Sequence, residues 1–172
     1  NGEWRTYGGD LGSTKYSPLD QIDETNFDDL EIAWRWQSVD GRLDLDALRE
    51  TQPAIGIRNL KATPLMVDGV LYISSLSGFL HALDPDTGEH FWTYDTFAAV
   101  WGSPFVVDGK VYLGDEDGDI AVLRAGKEME LLGEYNMGAA VYCTPVVHDG
   151  VLYVLTRNRL WALQDGAQSD PF

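Results

Sequence analysis

The sequence predicts an all-β chain folded as a β-propeller of about three four-stranded blades, an incomplete ring as a single chain. Three observations carry this. The segments ATPLMVDGVLYI (residues 62–73), GSPFVVDGKVYL (102–113) and CTPVVHDGVLYV (143–154) align with almost no adjustment, and their prolines, Pro64, Pro104 and Pro145, stand 40 and 41 residues apart. In each segment an Asp-Gly pair (Asp68-Gly69, Asp108-Gly109, Asp149-Gly150) separates two apolar runs, as a two-residue hairpin with positive φ at both centres requires. Helical periodicity is nearly absent. A repeat of about 40 residues made of short antiparallel strands is how propeller blades read in sequence.

The elements follow in order. Residues 1–61 make an amino-terminal wrap and a closing strand. Within them YGGDLGSTKYSPL (7–19) is turn-rich, with three glycines and a proline, and residues 43–50 carry at most one or two helical turns. The first blade is 62–101, where FLHAL (79–83) and EHFWTY (89–94) supply the third and fourth strands. The second is 102–142, with DIAVL (119–123) and EMELLGEY (128–135) in those places. The third, 143–172, has RLWAL (159–163) and then runs out through DGAQSDPF without an outer strand. The matching orphan is EIAWRWQ (31–37), which reads like EHFWTYD (89–95). It is expected to complete the last blade and cover an otherwise unpaired edge. Three blades are fewer than the four to eight that usually close a ring. Either a longer chain or further copies of this one are expected to complete it.

Composition narrows the function classes. Of 172 residues, 28 are acidic and 12 basic, a net charge of −16. Such a field repels phosphate backbones, so nucleic acid is not an expected partner. Its plain reading is solubility, with a cationic partner or a salty habitat as sharper ones. Cys143 is the only cysteine, so no internal disulfide forms, and its apolar surroundings predict a small buried side chain. No apolar run is long enough for a transmembrane helix. The sequence opens at Asn1 without a signal-like segment, read as a removed leader or a trimmed chain.

ALDPDTGEHFW (82–92) sets Ala82, Asp84, Thr87, Gly88 and Trp92 at fixed intervals, with Asp-Pro-Asp-Thr-Gly as turn chemistry between two apolar runs. It resembles the tryptophan-docking motif of the pyrroloquinoline quinone (PQQ) propellers, Ala-x-Asp-x-x-x-Gly-x-x-x-Trp. There the tryptophan packs between blades and the turn ties down the outer strand. The motif usually has Lys after the glycine, where this chain has Glu89. The second unit (VLRAGKEMELL) lacks the motif and the third stops short of it. WRTYGGDLGSTKYSPLDQI, NFDDLEIAWRW and NLKATPLMVDGVLYI together look like the amino-terminal region of PQQ-dependent alcohol and sugar dehydrogenases. Residues 100–123 and 136–163 are similar to carboxy-terminal blades of PQQ-like repeat proteins.

The resemblance implies a quinoprotein propeller with several central blades missing. It implies PQQ and calcium as cofactors and a periplasmic or otherwise extracytoplasmic location. Protein partners or copies of the chain would complete the ring, and a membrane-associated assembly is one setting for them. The aspartate base and calcium ligands of the dehydrogenases come from central blades without counterpart here, so no catalytic residue is carried over. Three residues before the proline of the first TPL strand, some catalytic relatives place an acid against the cofactor. Lys61 stands there, the one cofactor-binding candidate, where a lysine could face the quinone's carboxylates; the other reading is a solvent-exposed lysine.

Other candidates read as structure. Asp115, Glu116, Asp117 and Asp119 crowd GDEDGDIAVL, but an EF-hand needs a closing glutamate at the twelfth position, where Gly126 stands, and flanking helices. A strand-connecting turn is expected, with a weak surface calcium site as the second reading. His81, His90 and His148 lack metal-ligand spacing. Ser103 and Thr144, each before a proline, suit strand-start hydrogen bonds. Trp34, Trp36, Trp92, Trp101 and Trp161 fit core packing better than a carbohydrate platform. Two functions remain: a part or protomer of a PQQ-dependent dehydrogenase, or a PQQ-like propeller without quinone that serves as a protein-binding scaffold. The isolated chain is expected not to catalyse alone.

Overall fold

The computed structural model describes residues 2–10, 12–42, 44, 46–47, 50, 60 and 62–168. Three antiparallel sheets follow one another along the chain. The first contains β1 (Leu65–Val67), β2 (Val70–Ser74), β3 (Phe79–Leu83) and β4 (His90–Asp95). The second contains β5 (Phe105–Val107), β6 (Lys110–Gly114), β7 (Asp119–Arg124) and β8 (Leu131–Asn136). The third has β9 (Val146–His148), β10 (Val151–Leu155) and β11 (Leu160–Leu163). Each strand pairs with its neighbour in sequence. The hairpins close where the Asp-Gly pairs predict: Val67 pairs with Val70, and Asp68 and Gly69 take φ of +48° and +74°. Asp108, Gly109, Asp149 and Gly150 repeat that turn, which matches the right-handed twist of the strands it joins.

The sheets pack face against face. One core cluster spans the first two blades, joining Leu65, Val67, Val70, Tyr72, Leu80 and Trp92 to Val106, Val111, Leu113 and Leu123. A smaller one, Ile120, Val141 and Val154, joins the second blade to the third. Strand starts are tied across blades at the residues read as strand-start bonds. Thr63 donates its N–H to Ser103 Oγ at 3.2 Å, and Ser103 donates its own to Thr144 Oγ1 at 3.1 Å. Val141 donates to the Asp115 carbonyl at 2.8 Å, and its side chain sits so close to Gly114 that a Cβ there would lie 2.4 Å from Val141 Cγ1. Along the first blade's innermost strand, Trp4 and Met66 exchange a pair of backbone hydrogen bonds, so the amino-terminal wrap occupies that edge.

Three expectations are corrected. Residues 31–37 form no strand, and among the described residues the third sheet has three strands, the last of them β11. The segment lies instead on the first blade. Trp34 donates its indole N–H to the Pro85 carbonyl at 3.1 Å and packs against Gly88, while the Trp36 ring meets His81 edge-on at 4.7 Å. The first blade's outer face offers a landing for two indoles, which a lone edge strand does not. Cys143 is exposed, not buried, because among the described residues no fourth strand covers the blade it begins. Trp101 is half-exposed, since it precedes its strand and does not enter the sheet. Half of residues 43–50, where helical turns are expected, and Lys61 lie outside the described residues.

Candidate functional site: the docking turn and the strand starts

The docking turn is held by one carboxylate. Asp84 Oδ1 accepts the backbone N–H of Asp86 and of Thr87, both at 3.0 Å, and the Thr87 hydroxyl at 3.1 Å. Partial burial works to raise the Asp84 pKa, but these bonds and the nearby Lys127 outweigh it and leave the group below its ordinary value. Thr87 Oγ1 in turn accepts from Glu89 N–H, and Gly88, at φ +71°, donates to the Asp84 carbonyl. A Cβ on Gly88 would also stand 2.5 Å from Trp34, so this glycine serves both the left-handed turn and the indole above it. Ala82 pairs with Trp92 across β3 and β4. Trp92 is 6% exposed, lies 6.0 Å from Tyr72, and donates to the Gly126 carbonyl of the second blade at 2.9 Å. Gly126 N–H then donates to the Tyr72 hydroxyl at 2.7 Å. The five motif residues thus make one device that joins two blades.

Beside it is a buried polar chain that the sequence did not announce. His81 is fully buried; its Nδ1 meets Thr93 Oγ1 at 2.8 Å and its Nε2 meets Ser38 Oγ at 3.3 Å. Ser38 donates to Asp40 Oδ2 at 2.7 Å, and His90 Nε2 meets Thr93 Oγ1 at 2.7 Å. Burial lowers the His81 pKa to about 4, against the pull of Asp40 and with a smaller push from His90. His81 is therefore neutral near pH 7. Serine, histidine and carboxylate meet here, but in the wrong order for a nucleophile. The carboxylate binds the serine, and the histidine's other nitrogen faces a threonine, so nothing orients the imidazole as a base toward Ser38. The chain anchors residues 38–40 to the first blade.

At the strand starts, Lys61, Trp101 and Tyr142 occupy equivalent places, three residues before Pro64, Pro104 and Pro145. The Trp101 and Tyr142 rings meet edge to face at 6.2 Å, both partly exposed, and share Glu116: Trp101 Nε1 donates to Oε2 at 3.2 Å and the Tyr142 hydroxyl to Oε1 at 3.5 Å. Only Lys61 is expected at the cofactor, although the same count back from each proline also finds Trp101, expected in the core, and Tyr142. Asp115 is buried and binds Gly118 N–H and Asp119 N–H at 3.0 and 2.9 Å. Burial raises its pKa despite those bonds. Its role is the strand-connecting turn. Among the described residues no three of His, Cys, Asp and Glu are grouped to hold a metal ion, and these residues do not supply a calcium set.

Stacked antiparallel blades, hairpins of one type and a tryptophan driven between neighbours define the class: an arc of propeller blades with a docking turn. The family described as "Glucose/ethanol/alcohol dehydrogenase, beta-propeller domain" matches residues 4–117. The chain belongs to this PQQ propeller family. It is 34% identical over 141 residues to 1-butanol dehydrogenase (cytochrome c) of Thauera butanivorans, covering 74% of this chain and 18% of that protein. It is 36% identical over 140 residues to a quinohemoprotein alcohol dehydrogenase of Comamonas testosteroni, with the same coverage. The solved quinohemoprotein alcohol dehydrogenase of Pseudomonas putida superposes with a TM-score of 0.72 at 29% identity, over 89% of this chain and 22% of that one. The chain thus spans about a fifth of the length of these relatives. No helix among the described residues is long and apolar enough to cross a membrane.

Proposed function

We propose that this chain contributes blades to a quinoprotein dehydrogenase that oxidises an alcohol or a sugar with PQQ, outside the cytoplasm. The observation that supports this best is the amino-terminal match to dehydrogenase propellers, which runs through the intact docking turn. In this reading Lys61, Trp101 and Tyr142 line one end of the blades, and Lys61 faces the quinone's carboxylates. The base and the calcium ligands come from blades that complete the ring, in a longer chain or in further copies. Native mass spectrometry of the full chain with PQQ and calcium tests this. A multimer carrying cofactor, with binding weakened by Lys61→Ala, is expected; a chain that takes up neither partner nor cofactor overturns it.

A second reading is favoured by the third blade, whose β11 edge is unpaired among the described residues and whose Val146, Leu155 and Leu160 are 54%, 46% and 66% exposed. Here the propeller holds no quinone and presents that face to a protein partner. A cofactor-free multimer in the same measurement supports the scaffold.

A further inference from the structure

The second and third blades are not joined as the first and second are. In the first blade Ala82 pairs with Trp92 just before a register shift, and in the second Val122 pairs with Gly133 just before the same shift. Gly133 therefore stands where the docking tryptophan would. No indole fills the place. A cleft of about 390 Å³ lies there, lined by Tyr112, Ile120, Val122 and Met137 of the second blade and by Leu152 and Leu163 of the third. Its walls repeat those of the filled slot, because Tyr112 corresponds to Tyr72 and Val122 to Ala82 in the hairpin register. The Tyr72 hydroxyl accepts from Gly126, whereas the Tyr112 hydroxyl has no hydrogen-bond partner among the described residues. Tyr135 fills part of the space: its hydroxyl is 2.7 Å from the point a Cβ on Gly133 would occupy.

We propose that this vacated tryptophan slot is a binding site for a planar, uncharged aromatic molecule of indole size. Its occupied twin shows what the shape accepts, since the same wall in the first blade holds an indole. The volume lies in the range of small-molecule pockets, and apolar cavities of less than half this size take up benzene. Lys110 is the one charged residue in the lining, and its Nζ lies 3.4 Å from the Asp108 carbonyl. A net charge of −16 further disfavours anions.

The test is a titration of the full chain with 5-fluoroindole, followed by fluorine NMR and by methyl NMR of Ile120, Val122, Leu132, Leu152 and Leu163. Saturable binding with a Kd on the order of 1 mM is expected for so small a ligand, with shifts confined to those methyls. Gly133→Trp should weaken binding by about tenfold or more, since the obstacle to a side chain there is the movable Tyr135 ring. The methyl map on the unaltered chain decides the question even if that variant misfolds. No saturation up to the probe's solubility, shifts centred on Leu80 and Leu83 instead, or undiminished binding by folded Gly133→Trp would each overturn the proposal.

Discussion

The first and second blades meet through a tryptophan; the second and third meet around a cleft. Both junctions come from the same repeat, share the Ser103 and Thr144 strand-start bonds and carry a register shift at the same place. They differ at the docking position of the outer strand, Trp92 against Gly133, in the turn that precedes that strand, and, among the described residues, in whether the following blade has a fourth strand. The first junction also carries the Tyr94–Glu134 bond between outer strands. A repeat therefore fixes the course of the backbone, while single side chains decide how firmly neighbouring blades hold.

The sharpest way to break this comparison is to remove the tryptophan. Trp92→Ala deletes a nearly buried indole and the bond to Gly126, which should cost about 3–5 kcal/mol, or about 10 °C in Tm for a chain of this size. Tyr112→Ala, at the cleft, should cost less than half as much, because its surroundings are already open. Calorimetry of both variants decides the point, and equal losses would mean that the second junction is as tightly packed as the first.

The next effect separates the first blade from the other two. His81 corresponds to Ala121 and Trp161 in the hairpin register, so only the first blade hides an imidazole there. With its folded pKa at about 4 and an unfolded value of about 6.5, the unfolded chain binds the proton more readily. The stability that neutral His81 gives is thus complete above pH 6.5 and is lost as pH falls toward 4, by on the order of 3 kcal/mol. Denaturant unfolding at pH 7 and pH 4.5 should show that slope, and His81→Gln should flatten it. An unchanged slope in the variant would assign it to the carboxylates instead.

What was legible in the sequence was whatever depends on near neighbours. The Asp-Gly hairpins, the 40-residue period and the Asp84 turn are local backbone chemistry, and all stand where they were read. What was not legible depends on which surfaces meet. EIAWRWQ looks like an outer strand by pattern, yet Trp34 finds Gly88, 54 positions away, where the absence of a side chain leaves room for the indole. Cys143 sits in an apolar run, and nothing in that run says whether a strand covers it; among the described residues none does. Trp101 and Tyr142 share a carboxylate contributed by a turn between two other strands, which spacing alone does not reveal.

Gly88 offers a smaller test at the seat of Trp34. Gly88→Ala must accept φ +71° and push the indole away from a point 2.5 Å from the new Cβ, at about 1–3 kcal/mol. Hydrogen exchange should quicken across residues 31–42 more than across β5–β8. Gly109→Ala is the control, with a similar φ of +67° and nothing within 4 Å of its Cβ, so it should cost only the backbone part, about 1 kcal/mol. Identical exchange in the two variants would separate Trp34 from the docking turn.

The smallest effect lies in the Tyr94–Glu134 bond. The Tyr94 hydroxyl donates to Glu134 Oε1 at 2.6 Å across the outer strands, and burial first, then the Glu134 carboxylate, raises the Tyr94 pKa. The bond lies near solvent, so Tyr94→Phe should cost about 0.5–1 kcal/mol. A double-mutant cycle with Glu134→Ala isolates the coupling. Coupling above about 0.5 kcal/mol means that the outer strands add to the hold of Trp92; none means that this bond adds nothing to the indole and the shared core, and that the docking position carries the difference between the two outer strands.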